Sequence, residues 1–240
     1  MYKSDMSTGF YARIKALATG KKFAVVLIVF AVVTAASVAY DVAAHGVLYA
    51  LGSIPSVLEV VGLLMFRSAC FAEKDPPRTS GLTMVYVVQI VTGALSTLAL
   101  VVSGITVIAI SSGDFAYLLD ELKAQFSGAF SDSLGLTGEQ IKRYIIIILF
   151  GAAAVSALYF TFSAFGAKRV RDSVRNGYVR RPVPAGLITL LIIAAVLQAF
   201  STIGTSGFLR ALVYAAGAAK FALFAYCGYR FNKEFPVVPM

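Results

Sequence analysis

Between Leu82 and Ile110 the chain runs for 29 residues without a charged side chain, and this feature removes most of the folds otherwise open to it. At 1.5 Å per residue, a helix needs about 20 apolar residues to cross the hydrocarbon layer of a bilayer. Phe23 to Tyr40, Tyr144 to Ala167 and Ala185 to Leu209 are uncharged in the same way. Gly46 to Phe66 and Ala211 to Tyr229 each carry one internal charge, Glu59 and Lys220. Six such tracts in 240 residues, 59 % of them hydrophobic and only 14 % charged, predict an all-α fold: a polytopic membrane helical bundle of six transmembrane helices.

The basic residues decide the threading. With a cytoplasmic N-terminus, the inner segments hold sixteen lysines and arginines, ending at Arg230 and Lys233, whereas the outer segments hold four: Lys123, Lys142, Arg143 and Arg210. This is the positive-inside pattern for six helices with both termini in the cytoplasm. The formal net charge of +9 is therefore a topology signal, and no nucleic-acid partner is expected. Residues 1–22 read as a cytoplasmic basic lead with an interfacial helix around Arg13 and Lys15. Residues 23–240 read as a single six-helix transmembrane domain with an extracytoplasmic segment at 111–143. Lys21 and Lys22 before an apolar run that ends near Ser37 and Ala39 also fit a cleavable signal sequence, which would leave five spans.

Within the outer segment Phe115, Leu118, Leu119, Leu122 and Phe126 share one helix face and Asp114, Asp120, Glu121 and Gln125 the other. The spacing predicts an outer amphipathic helix. Thr137 and Gln140 form a capping box for the fourth span, which meets no breaker before Gly177. Gln89 with Ser96 and Thr97 is echoed by Gln198 with Ser201 and Thr202, in spans that run the same way across the membrane.

Charges inside spans cost about 2.5 to 3.5 kcal/mol on insertion scales and usually face the protein interior. Glu59 shares its face with Gly52, Pro55, Ser56 and Gly62, and Lys220 shares its face with Ala216, Gly217 and Phe224; small residues mark close helix contact. Two readings of Glu59 stand side by side. If the second span begins at Gly46, Glu59 lies near the midplane at the depth of Lys220. If instead the first helix runs unbroken to about Leu51 and turns at "GSIP", then Pro55 sits in a first turn, Ser56 and Glu59 form a capping box, and Glu59 is shallow. Its cationic partner would then be Arg210, with Lys220 snorkelling to the cytoplasmic side. The stacked local signals favour the turn. Asp41 and His45, four residues apart, form a candidate outer-surface pair.

No catalytic motif or metal-ligand cluster is present in the sequence, so neither enzyme activity nor a metal or cofactor is expected. Cys70 and Cys227, both at cytoplasmic ends of spans, are not expected to pair. "IPSVLEVVGLLMF", a charged Pro-containing loop and "SGLTMVYVVQIV" together resemble, over residues 52–93, a pattern in uncharacterised bacterial multi-pass membrane proteins. That resemblance implies a bacterial cytoplasmic membrane and no particular activity. The leading expectation is a non-enzymatic membrane protein acting by association with lipids or other membrane proteins. The alternative is a small-solute or proton-coupled transporter using Glu59, Lys220, Gln89 and Gln198.

Overall fold

The computed structural model describes the backbone of residues 2–72, 75–111, 138–203 and 208–235. It is helical throughout, with no strand among the described residues. The helices are α1 (Tyr2–Thr19), α2 (Lys21–His45), α3 (Ile54–Phe71), α4 (Ser80–Ser111), α5 (Gly138–Asn176), α6 (Ala185–Ile203) and α7 (Phe208–Glu234), with a 3-10 helix at Val47–Ser53. Lys21–Ala44, Leu51–Phe71, Ser80–Ile105 and Ala185–Ile203 are long and apolar enough to cross a membrane, as in a membrane-embedded protein. The expected outer helix over 115–126 and its neighbour Thr137 lie outside the described residues.

The chain gathers into two compact units, 1–90 with 161–240, and 91–160. In the smaller one Phe150 of α5 lies beside Gly104 of α4, where a Cβ would come within 3.9 Å of its ring. The larger unit holds α1, α2, α3, α6, α7 and parts of α4 and α5. Much of its surface is apolar. Ile28, Val32, Leu197 and Phe200 are exposed while Glu59 and Gln89 are buried, which inverts the arrangement of a water-soluble domain and suits a lipid surround.

Three contacts show that α6 and α7 are antiparallel. Ile188 lies over Gly228, Gln198 over Gly217, and Asn232 bonds Val183, so the numbers fall on one helix as they rise on the other. The Asn232 amide accepts from the Val183 N–H at 2.8 Å and donates to its carbonyl at 3.1 Å. The same end collects other ties. Phe10 of α1 packs edge-on against Phe235, Arg169 donates to the carbonyl of Pro182, and Lys15 pairs with Asp75 at 2.7 Å. α1 buries Phe10, Tyr11, Ile14 and Ala18, the stripe that makes it amphipathic.

The connection between α2 and α3 corrects one expectation. α2 does not run on to Leu51. It ends at His45, and Gly46 takes φ +89 with its N–H on the carbonyl of Val42, a conformation that glycine alone adopts readily. Seven residues of 3-10 helix follow before α3 opens with Pro55 in its first turn. The turn reading thus places the start of α3 well and misses the break at Gly46. The N-cap is Ser53 rather than Ser56, and its hydroxyl makes no cap bond; it donates to Asp41 Oδ2 at 3.1 Å, tying the end of α2 to the start of α3. At its other extremity α5 ends at Asn176 before Gly177, which takes φ +75, where the first breaker in the sequence stands.

Candidate functional site

α3 turns a single stripe inward: Glu59, Gly62, Phe66 and Cys70, at the 3-4 residue spacing of one helix face. Gly62 brings α3 against α4, since a Cβ there would stand 2.8 Å from the Gly81 carbonyl oxygen and 2.9 Å from Val85 Cγ2. One turn from that contact, Glu59 Oε1 accepts a hydrogen bond from Gln89 Nε2 across the α3–α4 interface. Both side chains are buried, so this charge-assisted bond forms in a low-dielectric setting, where it is stronger than in water.

Lys220 of α7 completes the group. Its ammonium sits 4.2 Å from the centroid of Phe30 and 5.4 Å from that of Phe221, in cation–π contact. Phe30, on α2, is 1 % exposed and packs edge-on against Phe224. The opposite charges of Glu59 and Lys220 lie within electrostatic range of each other. Among the ion pairs described, though, none joins them. Lys220 therefore does not snorkel away; aromatic faces hold it inside the bundle.

Depth follows from counting along the helices. Glu59 stands twelve residues from Phe71 and Gln89 nine from Ser80, about 18 and 13 Å from the end where the basic loops gather. Lys220 stands ten residues from Arg230, about 15 Å. All three are nearer the middle of their helices than the ends. α3 starts where the turn reading put it, but Glu59 is not part of a capping box: Ser53 is the N-cap, and Glu59 stands six residues beyond it with its carboxylate on Gln89.

The other candidates distribute as follows. Gln198 lies over Gly217, where a Cβ would meet its Oε1 at 3.1 Å, one turn from Lys220 on α7. The hydroxyls near the two echoing glutamines bond their own helices, Thr97 to the Gly93 carbonyl and Thr202 to that of Gln198. Asp41 takes Ser53 as partner. The side chains of His45 and Arg210 lie outside the described residues.

Sequence reasoning missed Phe30 and Thr34. Thr34 is 6 % exposed, and its hydroxyl has no hydrogen-bond partner. A lone hydroxyl between Val33 and Ala35 was the available signal. Comparison with protein-family models, curated proteins and solved structures finds no match to this chain.

Proposed function

We propose that this is a six-span protein of a bacterial cytoplasmic membrane, both termini inside, that works as a small-solute or proton-coupled transporter with Glu59 as its working carboxylate. One observation carries the reading: a buried carboxylate bonded to Gln89, well inside an otherwise apolar bundle that also holds the Lys220 ammonium against Phe30. Such a group is costly to keep in a membrane and usually marks a solute or proton path. The sidedness rests on the sixteen inner basic residues and on the clustering of α1, Asp75, Pro182 and Asn232 at one end. A second reading, association with membrane lipids and partner proteins, draws on that same end. There Arg171 stacks on Tyr86 at 4.6 Å and Arg175, Arg180 and Arg181 reach outward, suited to anionic headgroups at about 1 kcal/mol each.

The test is proton flux in proteoliposomes loaded with a pH-sensitive dye and driven by a potassium diffusion potential. Wild-type protein should acidify or alkalinise the lumen well above protein-free vesicles, and Glu59→Gln should cut the rate at least about tenfold, as expected when a single required proton carrier is lost. Equal flux in the variant and wild type would refute Glu59 as the working group.

A further inference from the structure

α1 is held to the bundle on one side only. Phe10, Tyr11, Ile14 and Ala18 are buried, while Ala12, Arg13, Ala16 and Leu17 on the other face are exposed. Its anchors belong to two different helices. Phe10 packs edge-on against Phe235, just past the end of α7, with ring centroids 5.0 Å apart, and Phe235 in turn contacts Phe231. Five residues on, Lys15 pairs at 2.7 Å with Asp75, four residues past the end of α3. Tyr11, one turn before Lys15, stands near the same carboxylate, which adds to burial in pushing its phenol up. The two anchors are about 8 Å apart along α1, close to the spacing of about 8 to 10 Å between packed helix axes. α1 therefore bridges the ends of α3 and α7 where the basic loops gather.

The Glu59 stripe runs toward that bridge. Glu59, Gly62, Phe66 and Cys70 form the buried face of α3, and Cys70 stands eleven residues from Glu59, about 16 Å. Cys70 is 3 % exposed, although α3 ends at the next residue, Phe71, which is 63 % exposed. α1 packs against this helix, and Lys15 lies within electrostatic range of the Cys70 sulfur, so α1 helps to close the stripe at this end. Its join to α2 is a single residue. Gly20 is extended, with φ −64 and ψ 156, between the two helices, and a hinge is built from a few such element-terminal positions. A helix attached by one stripe, one partly exposed ion pair and a one-residue joint can swing away without unfolding the rest.

We propose that α1 is a lid on the cytoplasmic side of the bundle, hinged at Gly20 and latched by Lys15 on Asp75 and Phe10 on Phe235, whose opening connects the Glu59 stripe to the cytoplasm. This rests on the reading of Glu59 as the working group of a transporter and adds its inner gate. A proton or solute leaving Glu59 along the stripe meets Phe66, then Cys70, then α1. Both latches lie on the far side of Gly20 from α2, so one rotation there releases them together.

The test places the full chain in lipid nanodiscs, where both faces meet solvent, and adds a charged maleimide that does not enter lipid. Mass spectrometry reads the labelling rate of each native cysteine. Cys70 should label slowly in wild type. Phe10→Ala removes a buried ring at the latch farther from Cys70 and alters no charge; it should speed Cys70 at least about tenfold, the effect of about 1.4 kcal/mol. Asp75→Asn should speed it roughly twofold to fivefold, as fits a partly exposed ion pair, and Asp75→Glu should stay with wild type. Cys227, half-buried in α7, reports general unfolding, and its rate should hold steady in every variant. Unchanged Cys70 labelling in Phe10→Ala, or an equal rise at Cys227, would overturn the lid. The gating role is read in the proton-flux assay with Phe10→Cys and Phe235→Cys in a background of Cys70→Ala and Cys227→Ala. Oxidation of that pair to a disulfide by copper phenanthroline should stop flux and dithiothreitol should restore it; flux indifferent to the disulfide would overturn the gate. Wild-type protein that carries no flux, yet whose Cys70 responds to Phe10→Ala, keeps the lid and defeats only the transport reading.

Discussion

Gly62→Ala places the most exacting demand on the α3–α4 contact that brings Glu59 to Gln89. A methyl group at position 62 would stand 2.8 Å from the Gly81 carbonyl oxygen and 2.9 Å from Val85 Cγ2, whereas packed heavy atoms rest about 3.5 to 4.0 Å apart. The valine can turn but the backbone oxygen cannot, so the helices must part by roughly half an ångström or more. Overpacking of this kind costs about 1 to 3 kcal/mol, against about 1 kcal/mol regained from the better helix propensity of alanine. The net loss should be on the order of 0 to 2 kcal/mol, a drop of up to about 8 °C at about 2 to 4 °C per kcal/mol for a chain of this size, and on the order of 1 to 3 kcal/mol relative to a glycine-to-alanine change that meets no neighbour. Thermal unfolding in detergent, read by the reactivity of buried Cys70 and half-buried Cys227, measures it. Gly9→Ala in α1 is the control: a Cβ there meets nothing within 4 Å, so the same chemical change should be neutral or stabilising. A Gly62→Ala protein as stable as Gly9→Ala would mean that the two helices are not in the close contact on which the Glu59–Gln89 bond depends.

Two further outcomes follow from the geometry. Asn232→Leu strips both backbone partners from buried Val183 and should cost about 1 to 3 kcal/mol by unfolding; Asn232→Asp, which still accepts from the Val183 N–H, should fall between it and wild type. Leu48→Cys, in a background of Cys70→Ala and Cys227→Ala, should react readily in intact cells with a membrane-impermeant thiol reagent. Leu48 precedes the apolar span that opens at Leu51 and is on the outer side in the proposed topology; protection, with a cysteine at Ser127 reacting normally, would overturn that placement.

The helical architecture was legible because composition sets it. An uncharged run such as Leu82–Ile110 has few ways to satisfy its backbone in an apolar setting other than by internal helical bonds, and α4 occupies that run. The punctuation at Pro55 and Gly177 was equally local, since proline and glycine act through their own dihedral angles. Gly46 was the local failure. Its sequence context permits both continuation and a break, and the choice goes with the 3-10 segment and the Ser53–Asp41 bond.

At the site the division runs between residue types and partners. Composition and spacing are enough to put Glu59, Gln89 and Lys220 in apolar helices, where polar groups are costly and so turn inward. They do not determine which of these residues meet. Periodicity assigns a residue to a face of its own helix and says nothing of the azimuth at which the next helix approaches. Packing of the helices brings Glu59 to Gln89 across the Gly62–Gly81 contact, sets the ammonium of Lys220 on Phe30, and leaves buried oxygens of Gln89 and Thr34 without partners. The physical reason is that helix pairing is set by close packing of small residues drawn from distant parts of the chain, and sequence spacing carries no record of it.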